Sequence, residues 1–524
     1  MTKKMKFNIH KIFALFLSGA LMVGSGCSGF LDEEDPSNIE PETFFTFPEH
    51  AELAVHGIYE NLRFHSGGAG IFVSNFQMLD ALSGTAETET GQNSDLNNLY
   101  TFEHTGDNLL LSQWWRELYE GIGNANLAIT KIPTIPNIKP ELQIKWVGHA
   151  KFLRALHYFW LVQLWGDVPL MTQPVTSYLD PLVTPSRASK ESVYDLIVAD
   201  LKDAEAAEFP WVDASGLASR AAVKSLLAKV YLVMAGEPMN KDGYYQLAAD
   251  KAKEVIDYAA ANTSIDKGIG LFATLDLIRT PANENKFEHI FSIQYAAGIA
   301  NAGYQDKYLP NNTNVTASGE VGTTVPKEIF LDSYEAGDKR IEEKGYYFQK
   351  YFDNGGTGSE IDFNKKYIYK HFDLPANGAP GAAGTGNSGL NYPLIRYAEV
   401  LLIYAEAQNE AGALTADAYN ALAAVRTRAG LTTPDIGTFT QESFKEAVLR
   451  ERWHELAFEN LTWFDMIRLQ LVYDAENDEF DPFVGSVIVV SGKPHTLEQK
   501  HLLLPLPAAD FRNNENLRPN NPGW

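Results

Sequence analysis

Apolar residues recur at helical spacing along most of the chain, and the longest such signal runs from Gln143 to Trp165. There Ala150, Leu153, Leu156, Tyr158, Leu161 and Leu164 leave almost no polar side, as a helix inside a bundle requires. Gly166 and Pro169 stop it. The same spacing predicts helices over 43–62, from Gln113 to Asn126, and over 189–208, 219–236 and 243–260. The last two are joined by Gly236-Glu237-Pro238. Helical pattern returns from Ile395 to Gly412 and from Ala416 to Ala429. Alanines stand where paired helices would approach closely (Ala221, Ala222, Ala228; Ala398, Ala405, Ala407). Stacked helix–turn–helix units are therefore expected, although no strict 34-residue period can be read.

A second strong pattern lies near the C-terminus. Leu449, Trp453, Leu456, Trp463, Ile467 and Leu471 read as one apolar helical stripe. Glu451, Glu455 and Glu459 stack four apart on another face, with Arg452–Glu455 and Asp465–Arg468 at ion-pair spacing. The expectation is a single helix, tryptophans inward and charge outward, docked on a larger helical scaffold.

Two zones lose the helical period. The first, about 64–108, opens on Ser66-Gly67-Gly68-Ala69-Gly70 and is polar and irregular over 84–108. The second, 264–395, mixes short aromatic runs with Gly, Asn and Pro, and reads as a loop-rich insertion on one side of the helical body. Long loops within a compact protein commonly carry function.

Composition adds little beyond an ordinary globular chain, but the formal net charge of −24 does change the picture. Such a surface repels polyanions, so nucleic acid is not an expected partner. The start of the chain is basic (Lys3, Lys4, Lys6, Lys11), then apolar from Ile12 to Val23, then Gly24-Ser25-Gly26-Cys27. This is the order of an export signal ending at a lipidated cysteine. Cys27 is the chain's single cysteine, so it has no internal disulfide partner. Residues 1–26 are read as a lipoprotein signal peptide and 27–42, acidic and punctuated by Pro36, as the lipidated tether. The remainder divides into an N-terminal helical region (43–263), the insertion (264–395) and a C-terminal helical region (396–524).

Catalytic patterns are weak. His454-Glu455 opens like a zinc-protease helix, but Phe458 stands where the second histidine must be. Gly384-Thr385-Gly386-Asn387-Ser388-Gly389 fits a dinucleotide fingerprint without the strand and helix that give it meaning. The chain's 67 acidic residues make carboxylate pairs unavoidable, and Glu451, Glu455 and Glu459 read more simply as ion-pairing groups than as a glycosidase dyad. No catalytic residue, metal site or cofactor is expected.

Binding remains. Aromatic rings pack on the C–H faces of sugars while amides and carboxylates take the hydroxyls. The irregular zones offer this mixture twice, with Phe72, Asn75, Phe76, Asp80, Asn97, Asn98 and Tyr100 in the first and Gln294, Tyr295, Tyr304, Gln305, Asp306 and Tyr308 in the second. The candidates taken from these for ligand contact are Phe72, Asn75, Asp80, Asn97, Tyr100, Tyr295, Tyr304 and Tyr308.

Several separated motifs together resemble one family. Glu451-Arg452-x-x-Glu455-Leu456-Ala457-Phe458-Glu459 through Trp463-Phe464-Asp465-x-x-Arg468 resembles the C-terminal signature of SusD/RagB proteins, with Asn460 in place of the usual glycine and Thr462 in place of the usual arginine. Trp115-x-x-Leu118-Tyr119, the run Arg154 to Leu170, Arg396-Tyr397-Ala398-Glu399-Val400 and the tail Asn516 to Trp524 match other family patterns. The resemblance implies a mainly α, tetratricopeptide-like scaffold with loops forming the ligand face. It also implies a surface lipoprotein that captures oligosaccharides, or alternatively peptides, for a TonB-dependent outer-membrane transporter of the SusC type. A surface glycoside hydrolase and a purely structural helical adaptor are the competing readings from other classes.

Overall fold

Polar caps set where many of the helices begin. Asn108 accepts the backbone N–H groups of Leu110 (3.0 Å) and Leu111 (3.3 Å). Ser189, Ser219, Thr415 and Thr440 cap four more helices in the same way, each contributing about 1 kcal/mol. In chain order the long helices are α1 (Glu49–Asn61), α2 (Leu109–Lys131), α3 (Pro140–Trp165), α4 (Lys190–Ala206) and α5 (Arg220–Ala235). They continue with α6 (Tyr244–Ala261), α7 (Tyr397–Glu410), α8 (Ala416–Arg428), α9 (Gln441–Glu455) and α10 (Thr462–Leu469). The structure, a computed structural model, describes residues 44–63, 78–89, 91, 93–175, 177, 179–302, 304–311, 322–352, 359–373, 388–412 and 414–524. The expected leader, the tether with Cys27, and the candidates Phe72, Asn75 and Phe76 lie outside these residues.

Each helix packs on its neighbour in sequence: α1 on α2 and α3, α2 on α3, α3 on α4, α4 on α5, α5 on α6. The series then crosses a gap, because α6 packs on α7 although residues 262–396 separate them. Helix α7 in turn carries α8 and α9. This serial stacking is the tetratricopeptide-like architecture. The alanines at the close-approach positions are all fully buried, so small side chains let the helix axes come together. From Phe152 to Trp165 every residue of α3 is buried, as its all-round apolar pattern demands.

Short strands make the joins in the insertion. Strand β1 (Ala86–Glu87) pairs antiparallel with β3 (Val325–Pro326), β2 (His289–Ile293) with β6 (Tyr392–Arg396), and β4 (Tyr347–Phe352) with β5 (Glu360–Ile368). The β4–β5 hairpin has an apolar cluster of its own, built on Phe348, Tyr351, Tyr367, Tyr369 and Phe372. The stretch 84–108 is more ordered than expected: it holds β1 and a short helix, Ser94–Tyr100, capped by Asn93.

The C-terminal signature corrects the sequence reading in two respects. It is two helices, not one: α9 ends at Glu455, α10 starts at Thr462, and Leu471 opens a strand. Phe458 (φ 60°) and Asn460 (φ 58°) take left-handed backbone conformations in the break. That conformation explains why glycine is usual at the second position and asparagine is tolerated there. Arg452 consequently reaches Asp465 (2.9 Å) rather than Glu455. Asp465–Arg468 forms as spaced, at 2.8 Å.

The second correction is larger. Glu451, Glu455 and Glu459 face inward, none more than 5% exposed. Arg340 donates to Glu451 (2.6 Å) and Glu455 (3.3 Å) while holding Asp338 (2.7 Å). Arg396 donates to Glu459 (2.6 Å), Glu455 (3.0 Å) and Glu288 (2.6 Å). Arg428 joins Glu288 (2.7 Å) to Glu455, and Lys370 pairs with Glu459. Buried charges persist only when paired and hydrogen-bonded. Because Glu288, Asp338, Arg340 and Lys370 come from the insertion, this network fastens the insertion to the helical body.

Candidate ligand face

The described residues of the two irregular zones join into one layer through contacts 222 to 278 positions apart. Glu89 accepts the backbone N–H of Asn311 (3.1 Å) and the hydroxyl of Tyr367 (2.8 Å). Tyr100 donates to the carbonyl of Thr323 (2.7 Å), and Lys365 of β5 reaches Glu87 of β1 (2.7 Å). The β1–β3 pairing completes the seam.

Beneath that layer lies a packed aromatic floor. His371 stacks between Tyr308 (5.1 Å between ring centroids) and Tyr392 (5.2 Å), and Tyr304 meets Tyr392 edge-on at 5.3 Å. Tyr304 donates to the carbonyl of Leu390 (2.9 Å) and Tyr308 to Asp80 (3.2 Å). Asp80 also accepts the backbone N–H of Asn460 (3.3 Å), so the floor is tied directly to the break between α9 and α10. Burial pushes the Asp80 carboxyl up to about 7, opposed by the Asn460 N–H, Tyr308 and Lys370.

The sequence candidates therefore divide. Asp80, Tyr100, Tyr304 and Tyr308 are each at most 2% exposed and hold the layer from below. Asn97 and Tyr295 are half-buried and reach the surface. Tyr295 packs beside Tyr304 (5.8 Å), and burial raises its hydroxyl against the charge of Arg63 at the end of α1.

Around Tyr295, Asn285, Asn391 and Glu284 join Gln294 from other parts of the chain. Gln294 and Asn285 exchange hydrogen bonds (2.7 and 3.0 Å), and Asn391 donates to Gln294 (2.9 Å) and accepts from the backbone of Tyr295 (2.7 Å). Glu284 accepts the backbone N–H of Asn391 at 2.7 Å, and burial, aided by the Asp373 charge, pushes its carboxyl up to about 7. Asn285 and Asn391 lie about a hundred positions apart, on either side of the β2–β6 pair. Only the strand pairing brings them together, and no local pattern marks it. A partly buried ring flanked by interlocked amides and a carboxylate can offer an apolar edge with hydrogen-bonding groups beside it.

Comparison with known proteins agrees with this architecture. Residues 337–524 match the family model described as SusD family, and residues 29–232 match one described as starch-binding associating with outer membrane. A SusD superfamily protein from Parabacteroides distasonis is 32% identical, with a TM-score of 0.83 over 91% of this chain and 99% of that one. SusD-like protein P2 of Formosa agariphila is 29% identical over 95% of this chain and 97% of its own length. A laminarin-binding SusD-like protein, at 23% identity and a TM-score of 0.70 over 91% of this chain and 100% of that one, shares the fold. With identity and coverage of this order, and with the helical scaffold and signature segment in place, the chain belongs to the SusD/RagB family.

Proposed function

We propose that the chain is an outer-membrane lipoprotein that captures oligosaccharides on its loop layer and passes them unaltered to a SusC-like TonB-dependent transporter. Lipid at Cys27 holds it to the membrane in this reading, with the face turned outward. The observation that carries the proposal is the joining of two distant loop zones into one surface over the aromatic floor, with Tyr295 and its amides beside that floor. Family membership supports it, as does the laminarin-binding neighbour of the same fold. Tyr295 and Asn97 are assigned to ligand contact, with Phe72 and Asn75 kept as further contact candidates. Asp80, Tyr100, Tyr304 and Tyr308 act by holding the layer in shape.

The test is calorimetric titration of the protein beginning at Ser28 against a panel of oligosaccharides and peptides, with each mixture checked for breakdown products. Saturable glycan binding with intact recovery is the expected result. Tyr295→Ala is expected to weaken it about tenfold, the loss of one stacking platform. Peptide binding in place of glycan would change the ligand class. Release of cleaved products would overturn capture in favour of hydrolysis.

A further inference from the structure

A cavity of about 370 Å³ lies away from the loop layer, between the C-terminal ends of α3 and α5, the start of α4, helix α10 and the chain's own tail. None of its lining residues belongs to either irregular zone. Its walls are apolar, with Val162, Val233, Phe464, Ile467 and Leu502 all buried side chains. A volume in this range suits a small organic ligand.

Tyr194, Gln163 and Lys190 are among the lining polar side chains with hydrogen-bonding or charge capacity left over. Tyr194 is 4% exposed, yet its hydroxyl makes no hydrogen bond among the described residues. Burial raises its ionisation above the usual phenol range, so it stays a neutral donor. Gln163, 7% exposed, donates to the Phe159 carbonyl (2.9 Å) within its own helix, which leaves its amide oxygen available. At the rim Lys190 makes no ion pair among the described residues. The other basic groups are engaged: Arg187 donates to the carbonyls of Asp167 and Pro519 (both 2.8 Å), Lys500 pairs with Glu498 (3.3 Å), and Arg468 is shared by Glu406 and Asp465. Asp167 and Glu237 also stand at the rim, Asp167 accepting the backbone N–H of Lys190 at 2.8 Å.

The Tyr194 hydroxyl has no protein partner among the described residues and lines the cavity, so it can donate to a ligand held there. We propose that this cavity is a second ligand site, separate from the loop layer, for a small amphipathic carboxylate. The aromatic or branched body of the ligand fills the apolar chamber, the Tyr194 hydroxyl donates to the carboxylate, and the Lys190 ammonium neutralises it at the mouth. The Gln163 oxygen accepts from any donor the body carries.

The test uses the purified full-length chain with 3-phenylpropionate as probe, and 3-phenylpropanol and phenethylamine as neutral and cationic controls, followed by saturation-transfer NMR and calorimetry. Saturable binding in the order carboxylate, alcohol, amine is expected. Tyr194→Phe is expected to weaken the carboxylate about fivefold, one net hydrogen bond. Lys190→Gln should reduce the preference of carboxylate over alcohol, and Val233→Phe should narrow the chamber and weaken binding of both. Oligosaccharide binding by the same Val233→Phe protein is expected to be unchanged, which separates this site from the loop layer. Absence of saturable binding by the carboxylate, an amine bound as tightly as the acid, or full binding by folded Val233→Phe would each overturn the proposal.

Discussion

Neutralising Glu459 is the sharpest test of the inward-facing charge network. Its carboxylate takes a bidentate pair from Arg396 (3.0 and 2.6 Å) and the ammonium of Lys370, and it is 5% exposed. Burial alone would raise its ionisation, but Arg396 and Lys370 outweigh burial and hold the carboxyl down at about 2, from an ordinary 4.5. At 1.36 kcal/mol per pH unit, that preference for the charged form is worth about 3.4 kcal/mol. Breaking one partner out of a buried ion pair costs about 3–5 kcal/mol, an independent figure of the same size. Glu459→Gln keeps the shape and removes the charge, so a loss of about 3 kcal/mol is expected at pH 7. Unfolding entropy of about 2.1 cal/mol/K per residue over roughly 480 residues gives about 1 kcal/mol per degree, hence a Tm lower by about 3 °C.

The pH dependence makes the same prediction distinctive. A carboxyl depressed in the folded state contributes stability that is complete above its unfolded value of 4.5 and is lost as the pH falls through about 2. Glutamine does not titrate, so the gap between wild type and Glu459→Gln should be widest near neutrality and close progressively below pH 4.5. Calorimetric melts of both proteins between pH 7 and pH 3 measure this. A gap below 1 °C at pH 7, or one of constant size across the range, would refute the assignment of Glu459 as a paired buried carboxylate.

Two other substitutions follow from the structure. Asp80 moves the opposite way: its carboxyl is raised from 3.8 to about 7, so the stability tied to its neutral form is complete below 3.8 and is lost as the pH rises through 7. Asp80→Asn should therefore gain on wild type by about 3 kcal/mol as the pH rises from 5 to 8.5, and melts in which the difference does not widen would count against it. Gly121→Ala should destabilise although alanine is the better helix former. Its methyl group would fall 2.3 Å from Nε2 of His157, a buried ring fixed by its bond to the Leu153 carbonyl (2.6 Å). A cost of about 1–3 kcal/mol is expected from overpacking, and an alanine variant as stable as wild type in urea would contradict it.

How much of this was legible depended on range. Helices α3, α5 and α8 are read within a few residues of their ends because their apolar periods are long and their starts and stops carry Ser, Thr, Pro or Gly. The break at 456–461 is not, since its cause is two left-handed residues, and only Asn460 is a type that hints at one. The face of the three glutamates is legible, but not its direction: the cations that draw it inward, Arg340, Lys370 and Arg396, lie 59 to 115 positions away from the groups they pair with. Tyr304 and Tyr308 stand in loop sequence like any exposed platform. Whether a loop ring is floor or surface is decided by what folds over it, and here Tyr392 and His371 do so from another segment.

The adjacent residues 459 and 460 join what those ranges separate. Glu459 holds Arg396 and Lys370 of the network, while the next residue gives its backbone N–H to Asp80 and its side-chain amide to the hydroxyl of Tyr392 (2.8 Å) under the loop layer. Charges on the two sides therefore act on each other. Glu459 raises the Asp80 carboxyl and Lys370 lowers it. In Glu459→Gln that raising influence disappears, which favours the Asp80 anion, so its titration should move below 7. The pH at which the gain of Asp80→Asn over its parent levels off must then fall, and the total gain shrink, when the comparison is made in the Glu459→Gln background. Melts of the four proteins in this cycle decide it. If the levelling-off stays near pH 7 in both backgrounds, the signature segment holds the scaffold and the loop floor without coupling them.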